Sequence, residues 1–187
     1  DYLWIQLNVY QRAVNSLSAE ILDELMSACA QTALHPTAKA VILSSSKPNS
    51  FIASYDLDQL QALRHRQAAL KLAQQGQELC ALLQKLPIPV IALINGATLG
   101  AGVEITLACD AIIAYDQPQV SMAHQDLALG LTPTFGGLHP LTTRMGSKAA
   151  WDWIVSGREL NASQAFERGL IDHLTQGNLM RLLNNAG

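Results

Sequence analysis

The segment from Leu86 to Asp110 constrains the fold of this chain more than any other. It opens with a short apolar, β-branched run, Pro89 to Ile94, which is typical of a fully buried strand. An apolar helix is predicted to begin near Ala101 or Gly102, with Glu104 in its first turn. Between strand and helix, glycines let the backbone turn sharply and approach a ligand without an intervening Cβ: Gly96, Gly100 and Gly102.

The start of that predicted helix is suited to binding negative charge. Its free N–H groups face the end of the glycine turn and favour a developing anion. Glu104 lies within reach of whatever those groups bind. A solvated acid in the first helical turn is the alternative, but the neighbours Val103 and Ile105 are apolar, which favours a functional carboxylate.

Strands and helices alternate along the rest of the chain, which indicates an α/β fold. Ser18 is predicted to cap a helix whose apolar positions have helical spacing: Ile21, Leu22, Leu25, Met26 and Cys29. A long helix is predicted over about 57–85, with a break near Gly76, and two later helices are predicted to be capped by Ser147 and Asn161. No repeat or linker interrupts the pattern, so residues 1–187 are expected to form one domain.

Composition narrows the class of protein and its partners. Apolar residues make up 49% and charged residues 14% of the chain, which predicts a globular domain that hides part of its surface by self-association. The net charge of −3, with no basic block, argues against a nucleic-acid partner. No apolar run reaches the roughly 18 residues of a spanning helix, and no signal peptide is visible. We therefore expect a cytoplasmic protein that does not insert into a membrane.

The cysteines and histidines predict neither disulfides nor a metal site. Cys29, Cys80 and Cys109 are odd in number and lie in apolar helical contexts, as buried reduced thiols do. The histidines lack paired metal-ligand spacing. Ser121, His124 and Asp126 invite comparison with a catalytic triad, but they lie too close together on an extended segment to converge, and we expect no triad.

The central run PVIALINGATLGAGVEITLACD resembles the signature of the crotonase superfamily, which contains enoyl-CoA hydratases and isomerases. Asn49–Leu57, Asp126–Gly137 and Gly157–Asp172 resemble further segments of that family, in the same order. The resemblance implies a spiral of ββα units and a homotrimer or hexamer. It also implies that the C-terminal helical module is short or missing, so that the chain is truncated, has lost the module, or is the first part of a larger enzyme.

The resemblance also implies a site for acyl-CoA thioesters, with coenzyme A part of the substrate and no separate cofactor or metal. The backbone N–H groups of Tyr55 and Ala101 would hold an enolate oxygen, and Glu104 and Asp126 would be the catalytic acids. Substrate contacts are expected from Ala53, Asp56, Gly100, Pro133 and Phe135. An enoyl-CoA hydratase or isomerase is the predicted activity.

Several residues depart from the family pattern. Asp126 replaces a longer glutamate, Ser54-Tyr55 stands where Gly-Ala is usual, and Thr134 replaces a glycine. These departures keep an alternative open: a catalytically silent protein that binds acyl-CoA weakly or serves as an assembly domain. An isomerase needs one acid/base where a hydratase needs two. From the sequence, Glu104 is expected to contribute more than Asp126, because it is fixed on a helix beside the oxyanion donors.

Overall fold

Strands and helices alternate along the chain in the computed structural model, which describes residues 1–177. The strands are β1 (Tyr2–Leu7), β2 (Ala40–Ser45), β3 (Ser50–Ala53), β4 (Val90–Ile94), β5 (Ala97–Leu99), β6 (Ala111–Tyr115), β7 (Ser121–Ala123), β8 (Leu160–Asn161) and β9 (His173–Thr175). The helices are α1 (Ala19–Thr32), α2 (Leu57–Ala62), α3 (Arg66–Lys85), α4 (Ala101–Leu107), α5 (Leu138–Met145), α6 (Ser147–Ser156) and α7 (Ala162–Glu167). A 3₁₀ turn covers Asp126–Leu129.

The strands form two sheets, and from β2 to β7 consecutive strands alternate between them. The five-stranded sheet has the order β1-β2-β4-β6-β9 and is parallel throughout. The four-stranded sheet has the order β3-β5-β7-β8, in which the β7–β8 pair is antiparallel. The strand pairs β2–β3, β4–β5 and β6–β7 are each followed by helix, which makes a spiral of ββα units. The fold class predicted from the sequence is confirmed.

Two predicted helix caps are confirmed and one is wrong. The Ser18 side chain accepts a hydrogen bond from the Ile21 amide (3.3 Å) at the start of α1. Asn161 begins α7 with a capping box, in which its side chain and that of Gln164 each accept an amide hydrogen bond. Ser147 instead is the first residue of α6, because Gly146, with φ +79°, makes the turn that precedes the helix.

The predicted long helix is broken at a different place from the one expected. The chain leaves the helical conformation at Leu63–His65, between α2 and α3, whereas Gly76 lies inside α3 and is buried. A Cβ at Gly76 would collide with the aromatic ring of Phe135. The glycine therefore marks close packing between α3 and a later loop rather than the end of a helix.

The small sheet brings three loops to one edge. Ala53 of β3 is in register with Leu99 of β5, which is in register with Ala123 of β7. All three strands are parallel, so their carboxyl ends meet at the same edge, where ligands commonly bind in parallel sheets. The next residues of the chain therefore begin three neighbouring loops: Ser54, Gly100 and His124.

Three further features of the described residues are the state of the cysteines, the length of the helices and the grouping of side chains that could bind a metal. Cys29, Cys80 and Cys109 are buried and free, as expected, and burial raises the pKa of the Cys29 thiol to about 11. Within residues 1–177, no helix has the length and apolar character needed to cross a membrane. Over the same residues, no group of three or more His, Cys, Asp or Glu side chains could hold a metal ion.

Candidate active site

The two segments predicted to supply oxyanion donors lie side by side. Tyr55 forms an isolated parallel bridge with Leu17, in which Ser54 O accepts from Leu17 N and Asp56 N donates to Leu17 O, both at 2.9 Å. Because neighbouring amides of extended backbone point in opposite directions, the Tyr55 N–H points away from Leu17. The Ala101 amide lies 3.4 Å from the Ser54 hydroxyl and donates a hydrogen bond to it.

Ser54 adopts an unusual conformation that places its hydroxyl at the centre of the site. Its φ of +66° is in the left-handed region, which costs a residue with a side chain roughly 1–2 kcal/mol. The hydroxyl accepts from the Ala101 amide and donates to Oδ1 of Asp126 (3.1 Å). The serine that replaces the family's usual glycine thus occupies one of the two candidate oxyanion donors.

Gly100 makes this arrangement possible. Its φ of +50° lies in the region that glycine adopts readily, and its amide donates to Ala123 O at 2.8 Å. A Cβ at this position would collide with Oδ1 of Asp126 and with the Ser54 hydroxyl. Any other residue here would separate the carboxylate from the serine.

Asp126 and His124 form a buried pair behind the serine. Asp126 is 2% exposed, and its Oδ2 has no hydrogen-bond partner among the described residues. His124 is 1% exposed; its Nδ1 lies 3.5 Å from that oxygen, and neither ring nitrogen has a hydrogen-bond partner in the described part of the chain. The indole of Trp153 packs edge-on against the imidazole, with ring centroids 5.2 Å apart. Sequence reasoning considered His124 only within a triad and missed this pairing with Asp126.

Glu104 is buried elsewhere, among backbone amides of the loop before α5. Its Oε1 accepts from Thr134 N (3.0 Å), and its Oε2 accepts from Phe135 N and Gly137 N (both 2.9 Å). Burial raises the pKa of this carboxyl, although the hydrogen bonds from Gly137 and Thr134 oppose the rise. A Cβ at Gly137 would come within 2.6 Å of Glu104 Cγ, so the glycine permits the close approach. The carboxylate therefore holds this loop in place.

Tyr55 joins the oxyanion segment to the same loop. Its hydroxyl hydrogen-bonds the Thr134 hydroxyl, and its ring packs edge-on against Phe135 with centroids 5.2 Å apart. Burial raises the pKa of the tyrosine above its ordinary value of 10.0. Tyr55 and Thr134 are both departures from the family pattern, and they contact each other. They are therefore parts of one altered contact.

A cavity of about 750 Å³ opens onto this arrangement. Its polar wall includes Ser54, Tyr55, His124 and Asp126. The rest of the wall is largely apolar and includes Leu57, Leu99, Leu127, Leu129, Ile154 and Val155. Such a mostly apolar pocket with a few convergent polar groups is the usual form of a small-molecule site.

The structure separates the other predicted site residues. Ala53 lines the large cavity, whereas Glu104 and Phe135 line a smaller one of about 230 Å³ between α3 and α4. Asp56 caps α2 by accepting from the Gln59 amide (3.0 Å). Pro133 lines neither of these two cavities.

Known proteins resemble this chain over nearly its whole length. A family model described as enoyl-CoA hydratase/isomerase matches residues 3–181. The structure of an enoyl-CoA hydratase from Bacillus anthracis is 31% identical, with a TM-score of 0.86 over 99% of this chain and 69% of that one. DspI from Pseudomonas aeruginosa is 27% identical, with a TM-score of 0.87 over 99% and 75% of the two chains. An enoyl-CoA hydratase from Bacillus halodurans, 22% identical, shares the fold with a TM-score of 0.90, covering 100% of this chain and 75% of that one.

Proposed function

Because this chain belongs to the enoyl-CoA hydratase/isomerase family, we propose that it acts on acyl-CoA thioesters through an enolate held by the backbone N–H groups of Tyr55 and Ala101. The observation that carries the proposal is the meeting of the two donor segments beside the large cavity, with the Ala101 amide 3.4 Å from Ser54 Oγ. Backbone donors fixed in this way need no reorganisation when negative charge develops on the thioester oxygen.

Substrate binding requires the thioester oxygen to replace the Ser54 hydroxyl at the Ala101 amide. At 3.4 Å that hydrogen bond is long, so it is weak. An enolate oxygen is a charged acceptor and forms shorter, stronger hydrogen bonds than a hydroxyl does. The exchange therefore favours the reacting state over the resting one, and Ser54 keeps its second hydrogen bond, to Asp126.

Asp126 is the group we propose for proton transfer. It lines the large cavity, and its carboxylate accepts a side-chain hydrogen bond from the Ser54 hydroxyl, whereas that of Glu104 accepts three hydrogen bonds from backbone amides of a loop. Proton transfer through Glu104 would release the loop that it holds. A site with one available carboxylate favours an isomerase, which removes a proton from one carbon and returns it to another. This ranking reverses the one expected from the sequence.

A hydratase is the second candidate within the same family. Burial raises the pKa of Glu104, and a carboxyl that stays protonated to higher pH is available as a general acid. In that reaction Glu104 would leave the loop amides and share water with Asp126. The alternative that is not an enzyme is a catalytically silent protein, because the Ser54 hydroxyl accepts the hydrogen bond of the Ala101 amide.

The experiment compares turnover of 2-enoyl and 3-enoyl thioesters of coenzyme A by the wild type, D126N and E104Q. We expect D126N to lower kcat by about 100-fold or more with KM little changed. The exposed Asp58 gives a matched control, D58N, which should have wild-type rates. Double-bond migration without 3-hydroxyacyl product supports the isomerase, and hydration supports the hydratase. A D126N variant with wild-type kcat contradicts the role of Asp126. If the wild type shows no turnover, the catalytically silent protein is the remaining alternative.

The assembly and location expected from the sequence are part of the proposal. A homotrimer or hexamer would cover apolar side chains that are exposed in the single chain, among them Trp151, Val155 and Leu129. A clean monomer at micromolar concentration in sedimentation would contradict it. The proposed location is the cytoplasm.

A further inference from the structure

His124 and Asp126 leave three buried polar atoms without a hydrogen bond in the described structure. These are Nδ1 and Nε2 of the imidazole and Oδ2 of the carboxylate. Most buried polar atoms in folded proteins have a partner, and those without one need an explanation. Here two of the three atoms, Nδ1 and Oδ2, lie only 3.5 Å apart. A proton on Nδ1 would satisfy both of them at once.

The surrounding fold keeps the side chains of His124 and Asp126 close to each other. His124 directly follows β7, and Gln125, with φ −93° and ψ +1°, turns the chain so that Asp126 begins the 3₁₀ turn beside it. Trp153 of α6 packs edge-on against the imidazole and limits its rotation. The Ser54 hydroxyl donates to the other carboxylate oxygen, Oδ1. Asp126 is therefore in a position to accept one hydrogen bond on each oxygen.

We propose that His124 is a positioning residue that donates Nδ1–H to Asp126 Oδ2 and keeps this carboxylate ionised and correctly oriented for proton transfer. The catalytic consequence rests on the proposed function, but the hydrogen bond itself does not. A carboxylate that accepts two donors is stabilised in its ionised form, whereas burial alone would favour the protonated form.

Among the titratable groups near Asp126, His124 is the one that can stabilise its negative charge. Glu104 of α4 interacts electrostatically with both His124 and Asp126, and Tyr55, after β3, interacts with Asp126. Glu104 can only add negative charge, and Tyr55 contributes a neutral hydroxyl. From α6, the imidazole contacts the uncharged ring of Trp153. The described lining of the large cavity includes no Lys or Arg, so His124 is its one side chain able to carry positive charge.

The first test needs no substrate. Proton–nitrogen correlation spectra of protein labelled with ¹⁵N-histidine report which ring nitrogen carries the proton, and H124Q assigns the His124 signals. We expect Nδ1 of His124 to be protonated at pH 7 and the pattern to change in D126N. The exposed His139 supplies the control, since its signals should be the same in both proteins. A neutral His124 protonated on Nε2 and unchanged by D126N would overturn the proposal.

The second test uses the pH dependence of kcat/KM. In H124Q, the acid limb should move to higher pH, because the carboxylate then lacks a donor that favours its ionised form. At pH values below the limb, kcat/KM should fall by about tenfold, with recovery at alkaline pH and KM little changed. H139Q should retain the wild-type profile. An H124Q profile that is lowered uniformly, without a shift, would show a merely structural role. If the wild type lacks turnover, the proposed function fails while the spectra still decide the hydrogen bond.

Discussion

Replacing Glu104 by alanine tests whether this carboxylate is mainly an anchor for the loop before α5. The substitution removes the acceptors of three amides, those of Thr134, Phe135 and Gly137. A buried donor left without a partner costs about 1–3 kcal/mol, so three give at most about 9 kcal/mol. Water can enter from the adjacent cavity, and Thr134 is partly exposed, which reduces the cost. We expect E104A to lower the free energy of unfolding by about 3–5 kcal/mol.

Asp126 provides the matched control, because the two carboxylates are almost equally buried. Glu104 is 1% exposed and Asp126 is 2% exposed. Asp126, however, accepts one hydrogen bond, from the Ser54 hydroxyl, and keeps one oxygen without a partner in the described structure. D126A removes this hydrogen bond and the one proposed from His124, but both donors are side chains that can reorient, so it should lower the free energy of unfolding by about 1–2 kcal/mol, less than E104A does.

Urea unfolding at pH 7, followed by tryptophan fluorescence, measures both variants against the wild type. Equal m-values would establish that the differences are in stability and not in the surface exposed on unfolding. Equal losses in E104A and D126A, or an E104A variant within about 1 kcal/mol of the wild type, would refute the anchoring role. E104Q is expected to fall between the two, since its amide oxygen can keep the hydrogen bonds of Phe135 and Gly137.

Two further predictions concern the same site. S54G should bind acyl-CoA several-fold more tightly than the wild type in calorimetry, because it frees the Ala101 amide. S54A also frees this amide but keeps a side chain at a positive φ, so S54G should be the more stable of the two variants. Equal free energies of unfolding for S54G and S54A would contradict the backbone strain at Ser54. The stability difference between wild type and E104Q should shrink as pH rises above 4.5. Burial raises the pKa of Glu104 in the folded protein, so its contribution is fully present below that pH and is lost as pH rises through the raised value. Urea unfolding from pH 4 to 8 measures the trend, and a difference that grows with pH would refute it.

The fold could be predicted because the informative residues are local in the sequence. Strand β4, the glycine turn and the start of α4 at Ala101 all lie within one segment, and the caps Ser18 and Asn161 act on amides only a few residues away. Strand β5 was missed, since its three residues lie between Gly96 and Gly100 and look like part of a turn. The break near Gly76 was wrong because the reason for that glycine, the ring of Phe135, comes from a loop far along the chain.

The candidate site could be predicted only in part, for the same reason. The segments proposed as oxyanion donors, at Tyr55 and Ala101, were located by their resemblance to a family, and their role stays a prediction. The hydrogen-bond donors to Glu104 are backbone amides about 30 residues later in the chain, and no local sequence pattern indicates them. His124 could have been found by noting that it directly follows β7, at the edge where β3 and β5 also end. Its burial and its distance to Asp126 depend on the turn at Gln125 and on α6, which the sequence does not reveal.

The contacts of Tyr55 with Thr134 and Phe135 connect the walls of the two cavities. Tyr55 lines the large cavity, while its ring packs against Phe135, which lines the small one. A molecule that entered the small cavity and displaced Phe135 would alter the position of the Tyr55 amide and thereby the affinity for a thioester. By linkage, a thioester would change the affinity of the small cavity by the same factor. Residues that depart from the family pattern thus connect the loop beside the small cavity with the segment at which we propose that a thioester binds.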